Sequence, residues 1–130
     1  MRKSGFRFVL AVVFAAQAAV LCPSAQAAAD GELQFADLGV CKLARGREIE
    51  NCRLGYRTWG ALNEQRSNAV LFPSWFSGNS NNIAAFVGPD KMVDPAKFFL
   101  IAIDALGDGV SSSPSNSETE HGTRFPPITV

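Results

Sequence analysis

Two short runs without a polar residue constrain this chain more than any other feature. Ala69-Val70-Leu71-Phe72 stops at Pro73, and Phe98-Phe99-Leu100-Ile101-Ala102-Ile103 stops at Asp104. Both have strand length, and flanking Pro and polar residues bound them. A strand that is apolar at consecutive positions is the kind covered on both faces, as in parallel sheets with helices on each side. Parallel neighbours need a crossover, and the segment between the runs can supply one. It opens with the loop Ser77-Gly78-Asn79-Ser80-Asn81-Asn82. Ile83 to Val87 then reads as one or two helical turns capped by Asn81 or Asn82. Gly88-Pro89-Asp90 breaks that helix.

Upstream the pattern changes to a hairpin. A strand is expected over about 36–43 and another over about 48–59, where Ile49, Leu54, Tyr56 and Thr58 favour β structure. Arg45-Gly46 lies near the turn. Cys41 and Cys52 sit on the two arms, and if they face each other Arg45 faces Glu48. Directly opposed residues lie within bridging range. The pair is then either a disulfide or two free thiols, and the compartment decides which. A hairpin followed by two buried strands around a loop and helix indicates an α/β class with a mixed sheet.

The front end addresses the compartment. Arg2, Lys3 and Arg7 precede an uncharged apolar stretch from Phe8 to Leu21, and Ala25-Gln26-Ala27 follows. A charged start, a short apolar run and an A-x-A site describe a secretory signal over 1–27. The run is short for a bilayer span of about 20 residues, so no stable membrane anchor is expected after cleavage. The mature unit is then 28–130, periplasmic or secreted. Export removes Cys22 and favours the Cys41–Cys52 bridge. The same cut removes three basic residues and leaves 9 basic and 12 acidic ones. With no basic excess, a nucleic-acid partner is not expected. His121 is the only imidazole and no C-x-x-C occurs, so neither a metal nor another cofactor is expected.

Chemistry is expected at the carboxyl ends of the two apolar strands, where open α/β sheets bind ligands. After the second comes Asp104-Ala105-Leu106-Gly107-Asp108-Gly109-Val110-Ser111. Gly107, Gly109 and Ser111 are candidates for a pocket loop. The segment lacks the third glycine of a dinucleotide fingerprint. It also lacks the G-x-S-x-G of a nucleophile elbow. After the first strand comes Ser74-Trp75-Phe76-Ser77-Gly78. On α/β-hydrolase folds a loop here donates one backbone N–H to the oxyanion hole. Trp75, Phe76, Ser77 and Gly78 are the candidates.

Several ordered motifs carry a family likeness. Gly55-Tyr56-Arg57-Thr58-Trp59-Gly60-Ala61-Leu62-Asn63 and Ser67-Asn68-Ala69-Val70-Leu71 form the first pair. Val87-Gly88-Pro89-Asp90-Lys91, Asp94 and Phe98-Phe99 follow, then Leu106-Gly107, Ser111 to Ser115, and Gly122 to Thr129. Over about residues 38–130 the chain resembles the homoserine O-acetyltransferases. The resemblance implies an α/β-hydrolase fold, of which this chain is the N-terminal part, and acyl transfer through a Ser-Asp-His triad. It implies a small-molecule acyl ester or acyl donor as substrate. Where the family reads H-A-L-T-G this chain reads Ser74-Trp75-Phe76-Ser77-Gly78: the histidine is absent, and Phe76 stands at the oxyanion amide. Export and the missing histidine point away from homoserine, towards hydrolysis or transfer on another substrate.

No catalytic residue is expected within the chain. The triad on this fold runs Ser, Asp, His, and His121 precedes any elbow, in a polar loop expected at the surface. The chain reads as the front of a longer enzyme. A different class stays open: a small secreted binding module closed by the Cys41–Cys52 bridge, with Trp59, Trp75 and Phe76 as an aromatic patch.

Overall fold

The computed structural model describes residues 30–128. The signal reading over 1–27 lies outside the described residues. Four strands form one mixed sheet: β1 (Gln34–Lys42), β2 (Glu48–Trp59), β3 (Ala69–Pro73) and β4 (Phe99–Ile103). Their spatial order is β1-β2-β4-β3. The β1–β2 and β2–β4 pairs are antiparallel, and β3–β4 is parallel. The crossover contains α1 (Ser80–Ile83), continued by a 3₁₀ turn over Ala84–Phe86.

The cap lies two to three residues earlier than the sequence suggested. Asn79, rather than Asn81 or Asn82, accepts from the amides of Asn81 and Asn82 at 3.0 and 3.2 Å. The Asn82 side chain returns the bond by accepting from Asn79 N–H at 3.0 Å. That reciprocal arrangement satisfies the donors at a helix start, and it draws the start back to Ser80.

The hairpin register also differs. Cys41 pairs with Ile49, Lys42 with Glu48, and Gly39 with Cys52. Leu43 N–H bonds Arg47 O at 2.8 Å, and Gly46 N–H closes the turn on Leu43 O at 2.9 Å. Gly46 has φ +74°, the left-handed residue that ends a three-residue hairpin loop. A tight turn at 44–46 forces a closer pairing than Cys41 opposite Cys52 would allow. Two irregularities flank Gly39. One extra residue falls on β1 and then one on β2, with Asn51 at φ 50°. They restore the register on either side and set the cysteines diagonally. The disulfide still forms, with Cα atoms 5.7 Å apart.

The core lies on one face of the sheet. Ile83, Val93, Leu100 and Ala102 are buried there, with Trp59, Val70, Phe72 and Val87 packed around them. The opposite face carries Ile101, half-buried, and Leu71, 62% exposed. The strands expected to be covered on both faces are therefore covered on one, among the described residues. A second cluster joins Ile49, Cys52 and Phe125, with Cys41, Leu43 and Leu106 against it.

The motif residues mostly build turns. Gly60 has φ +77°, and a Cβ there would sit 2.4 Å from Phe98 O and 2.5 Å from Pro95 O. Asn68 accepts from Asn63 N–H at 2.9 Å and donates to Ala61 O at 2.9 Å. These contacts shape the entry to β3. Among the described residues no helix is long and apolar enough to cross a membrane.

Candidate active site

The parallel strands β3 and β4 end side by side, and the chain leaves both ends in loops that are fastened together. Ser74 N–H donates to Ile103 O at 2.8 Å, and Ala105 N–H donates to Ser74 Oγ at 3.1 Å. Between these loops and the segment Phe125–Ile128 lies a cleft of about 590 Å³. It sits where the topology of an open α/β sheet places a ligand, and its size suits a small molecule.

Trp75 and Phe76 form one wall, with Ser74 at its base; Ala105 to Asp108 and Pro114 form another. Residues 75–78 make a turn, closed by Gly78 N–H on Trp75 O at 3.0 Å. Gly78 lies under the indole: a Cβ there would be 2.4 Å from the ring. Trp75 also meets Phe86 edge-on, with centroids 6.1 Å apart, a favourable aromatic geometry. The Phe76 side chain is fully exposed. Among the described residues, the amides of Trp75, Phe76 and Ser77 make no hydrogen bond.

A buried carboxylate holds this loop's far end. Asp104, at 0% exposure, follows β4 directly. Its Oδ1 accepts from Ser80 N–H at 2.5 Å and its Oδ2 from Ser80 Oγ–H at 2.7 Å. Ser80 Oγ in turn accepts from Arg57 Nε at 3.2 Å. A buried carboxylate survives only when its oxygens are matched by donors. Here the donors come from the first residue of α1, so the end of β4 fixes where the 74–80 loop can run.

The serine-rich segment gives the cleft only Pro114, and its first three serines face inward. Ser111, Ser112 and Ser113 are buried, and two of their hydroxyls complete the backbone pairing of β2. Ser111 Oγ accepts from Gly55 N–H at 2.9 Å and donates to Asp104 O at 2.7 Å. Ser112 Oγ accepts from Arg53 N–H at 2.9 Å, and Ser112 N–H donates to Arg53 O at 3.0 Å. Gly55 leaves room for this approach: a Cβ would lie 2.9 Å from Val110 Cγ1. Asn116 Nδ2 bonds the carbonyls of Gly109 and Ser111 at 3.1 and 2.9 Å. Of the three residues expected in a pocket loop, Gly107 lines the cleft, while Gly109 and Ser111 are not on its wall. His121 is exposed.

Among the described residues, Asp108 is the one ionisable residue on the cleft wall. Its Oδ1 accepts from Val110 N–H at 2.8 Å and Ser111 N–H at 3.1 Å. Its Oδ2 is buried without a partner among the described residues. The Phe125–Ile128 wall escaped sequence reasoning, because its residues share no period with either loop. The Cys52–Phe125 contact cluster brings it there. Among the described residues no three His, Cys, Asp or Glu side chains gather closely enough to hold a metal ion.

Comparison with known proteins agrees with this architecture. A probable esterase of Corynebacterium glutamicum is 38% identical over 103 residues, which span 77% of this chain and 30% of that protein. A homoserine O-acetyltransferase of Thermobifida fusca is 34% identical over 105 residues, 68% of this chain and 28% of the relative. Among solved structures, an acetylester hydrolase from Corynebacterium glutamicum matches with a TM-score of 0.71 at 39% identity, covering 75% of this chain and 29% of that one. No protein-family model matches. The chain spans less than a third of the length of these relatives. By sequence likeness and by structural superposition, the chain belongs to the α/β-hydrolase proteins that comprise esterases and homoserine O-acyltransferases, of which it matches a part.

Proposed function

We propose that this chain is the front part of an exported enzyme that moves a small acyl group by way of a serine ester. The nucleophile, acid and histidine lie downstream of residue 130. This portion contributes the cleft walls and one oxyanion donor, the Phe76 N–H. In the first half-reaction a serine oxygen attacks the ester carbonyl carbon. The bond from that carbon to the leaving oxygen breaks, and the departing alcohol takes the serine proton through the histidine. Water or an acceptor alcohol then attacks the acyl-serine and releases acid or a new ester. In both steps the carbonyl oxygen becomes an anion, and a fixed amide is worth most at that moment. Loss of one such donor costs about 10²–10³ in rate.

The observation that carries this reading is the turn after β3. Among the described residues its amides at Trp75, Phe76 and Ser77 are unengaged, and they lie on the wall of a cleft at the carboxyl ends of parallel strands. The disulfide supports export, since such bonds persist in oxidising compartments.

The test starts from the complete reading frame. Its product should hydrolyse p-nitrophenyl acetate, and a serine-directed phosphonate should label one serine outside residues 28–130. Residues 28–130 alone should not turn the ester over. Label on Ser111, Ser112, Ser113 or Ser115, or a frame that closes at Val130, would overturn the proposal.

A further inference from the structure

We infer that Asp104 is the positioning residue for the oxyanion donor at Phe76, and that it acts through Ser80. The inference rests on the acyl-transfer reading above and adds what holds its donor still. Three consecutive residues at the end of β4 grip both ends of the 74–80 loop. At the near end Ile103 O accepts from Ser74 N–H at 2.8 Å, and Ala105 N–H donates to Ser74 Oγ at 3.1 Å. At the far end the Asp104 carboxylate accepts from both the amide and the hydroxyl of Ser80. Two bonds from one charged group fix orientation as well as distance. Phe76 lies between the two grips.

The far grip is itself braced. Arg57 on β2 donates from Nε to Ser80 Oγ at 3.2 Å and from Nη1 to Gly31 O at 2.6 Å, so the Ser80 hydroxyl is held from two sides. Asp104 N–H donates to Gly55 O at 2.9 Å, and Asp104 O accepts from Ser111 Oγ at 2.7 Å. Asp104 and Ser80 are both buried, so water does not compete for their bonds. Inside the loop, Gly78 N–H closes the turn on Trp75 O. Such a turn, held at one end only, can swing as a unit. A donor aimed at charge that exists only in the transition state must be fixed in advance, and a misplacement of about 1 Å can cost about 10²-fold in rate. Removing the Asp104 carboxylate releases the far grip and leaves the near one in place.

The experiment follows p-nitrophenyl acetate hydrolysis by the product of the complete reading frame. Asp104→Ala should lower kcat at least about tenfold and leave KM within about threefold, because the donor serves both half-reactions and not ground-state binding. The inhibition constant of 1,1,1-trifluoroacetone, which binds as a hemiketal anion, should rise in proportion. Asp104→Asn keeps an oxygen for the Ser80 amide and an NH₂ for the Ser80 hydroxyl oxygen, which has two lone pairs, and should recover most of the lost kcat. Ser80→Ala removes only the hydroxyl bond and should lower kcat at least about threefold with KM again steady. It keeps the test open if Asp104→Ala does not fold. A loss in Asp104→Ala carried by KM, an Asn variant as slow as the Ala variant, or an unchanged kcat in Ser80→Ala would overturn the inference. If the unmodified protein turns over no ester, the acyl-transfer reading fails instead. Hydrogen exchange over residues 78–82 then decides the grip of Asp104 on the loop. Exchange at least about threefold faster in Ser80→Ala, with β2 and β4 unchanged, upholds it, and unchanged exchange refutes it.

Discussion

Replacing Ser111 with Ala separates a structural serine from a reactive or surface one. The hydroxyl is fully buried and serves two backbone groups at once, Gly55 N–H at 2.9 Å and Asp104 O at 2.7 Å. The methyl of Ala serves neither. A buried donor or acceptor left without a partner costs about 1–3 kcal/mol. Both losses fall in one place, and limited relaxation of the 105–110 loop can recover part of them, so a net loss of roughly 2–4 kcal/mol is expected. Urea unfolding followed by tryptophan fluorescence measures it. With a slope of about 1–3 kcal/mol per molar, the midpoint should fall by roughly 1 M or more. Ser115→Ala is the control: Ser115 is exposed, its hydroxyl meets only Ser113 Oγ at 3.0 Å, and its loss should stay within about 0.5 kcal/mol. A Ser111→Ala midpoint no lower than that of Ser115→Ala would refute the reasoning.

Other perturbations reach different parts of the same framework. Gly60→Ala places a methyl against two backbone oxygens at a positive φ; neither can move cheaply, and a loss above about 2 kcal/mol should appear in the same unfolding assay. Reduction of Cys41–Cys52 opens a short loop and should lower stability by about 2–3 kcal/mol in the chain-entropy account; neither thiol should react with a thiol reagent before reduction. The carboxyl of Asp94 is held below its ordinary value, first by the Ala96 amide and then by Lys97. Its folded pKa is depressed, so its contribution is present above the unfolded value near 4 and fades as pH falls through the folded one. A carboxyl carbon titration by NMR should show Asp94 protonating at lower pH in the native protein than in urea, and a native midpoint at or above the urea value would contradict the Ala96 contact.

The strands were the most legible part of the sequence. Apolar and β-branched residues placed β2 over Glu48–Trp59 and β4 within one residue of its observed start. Composition says which side chains tolerate burial, not which surface is packed, and so Leu71 was expected inside. The helix start went astray because three asparagines within four positions could each cap; only reciprocity between Asn79 and Asn82 decides among them. The register went astray because irregularities in a hairpin leave no mark in hydrophobic patterning. At the site, Trp75 and Phe76 were legible from their place after a strand. The burial of Ser111 was not, since its partner Gly55 lies 56 residues away. The wall at Phe125 depends on a contact with Cys52 that no local pattern encodes.

The paired irregularities of the hairpin bear on how this region tolerates insertions and deletions. Losing Leu38 alone would remove one spare residue and leave the other uncancelled, turning alternate side chains of one arm inside out. Losing Leu38 together with Glu50 or Asn51 would keep the arms in phase. Length changes near the cysteines should therefore survive only in matched pairs, one on each arm, and a random deletion library scored for folded product would show that coupling directly.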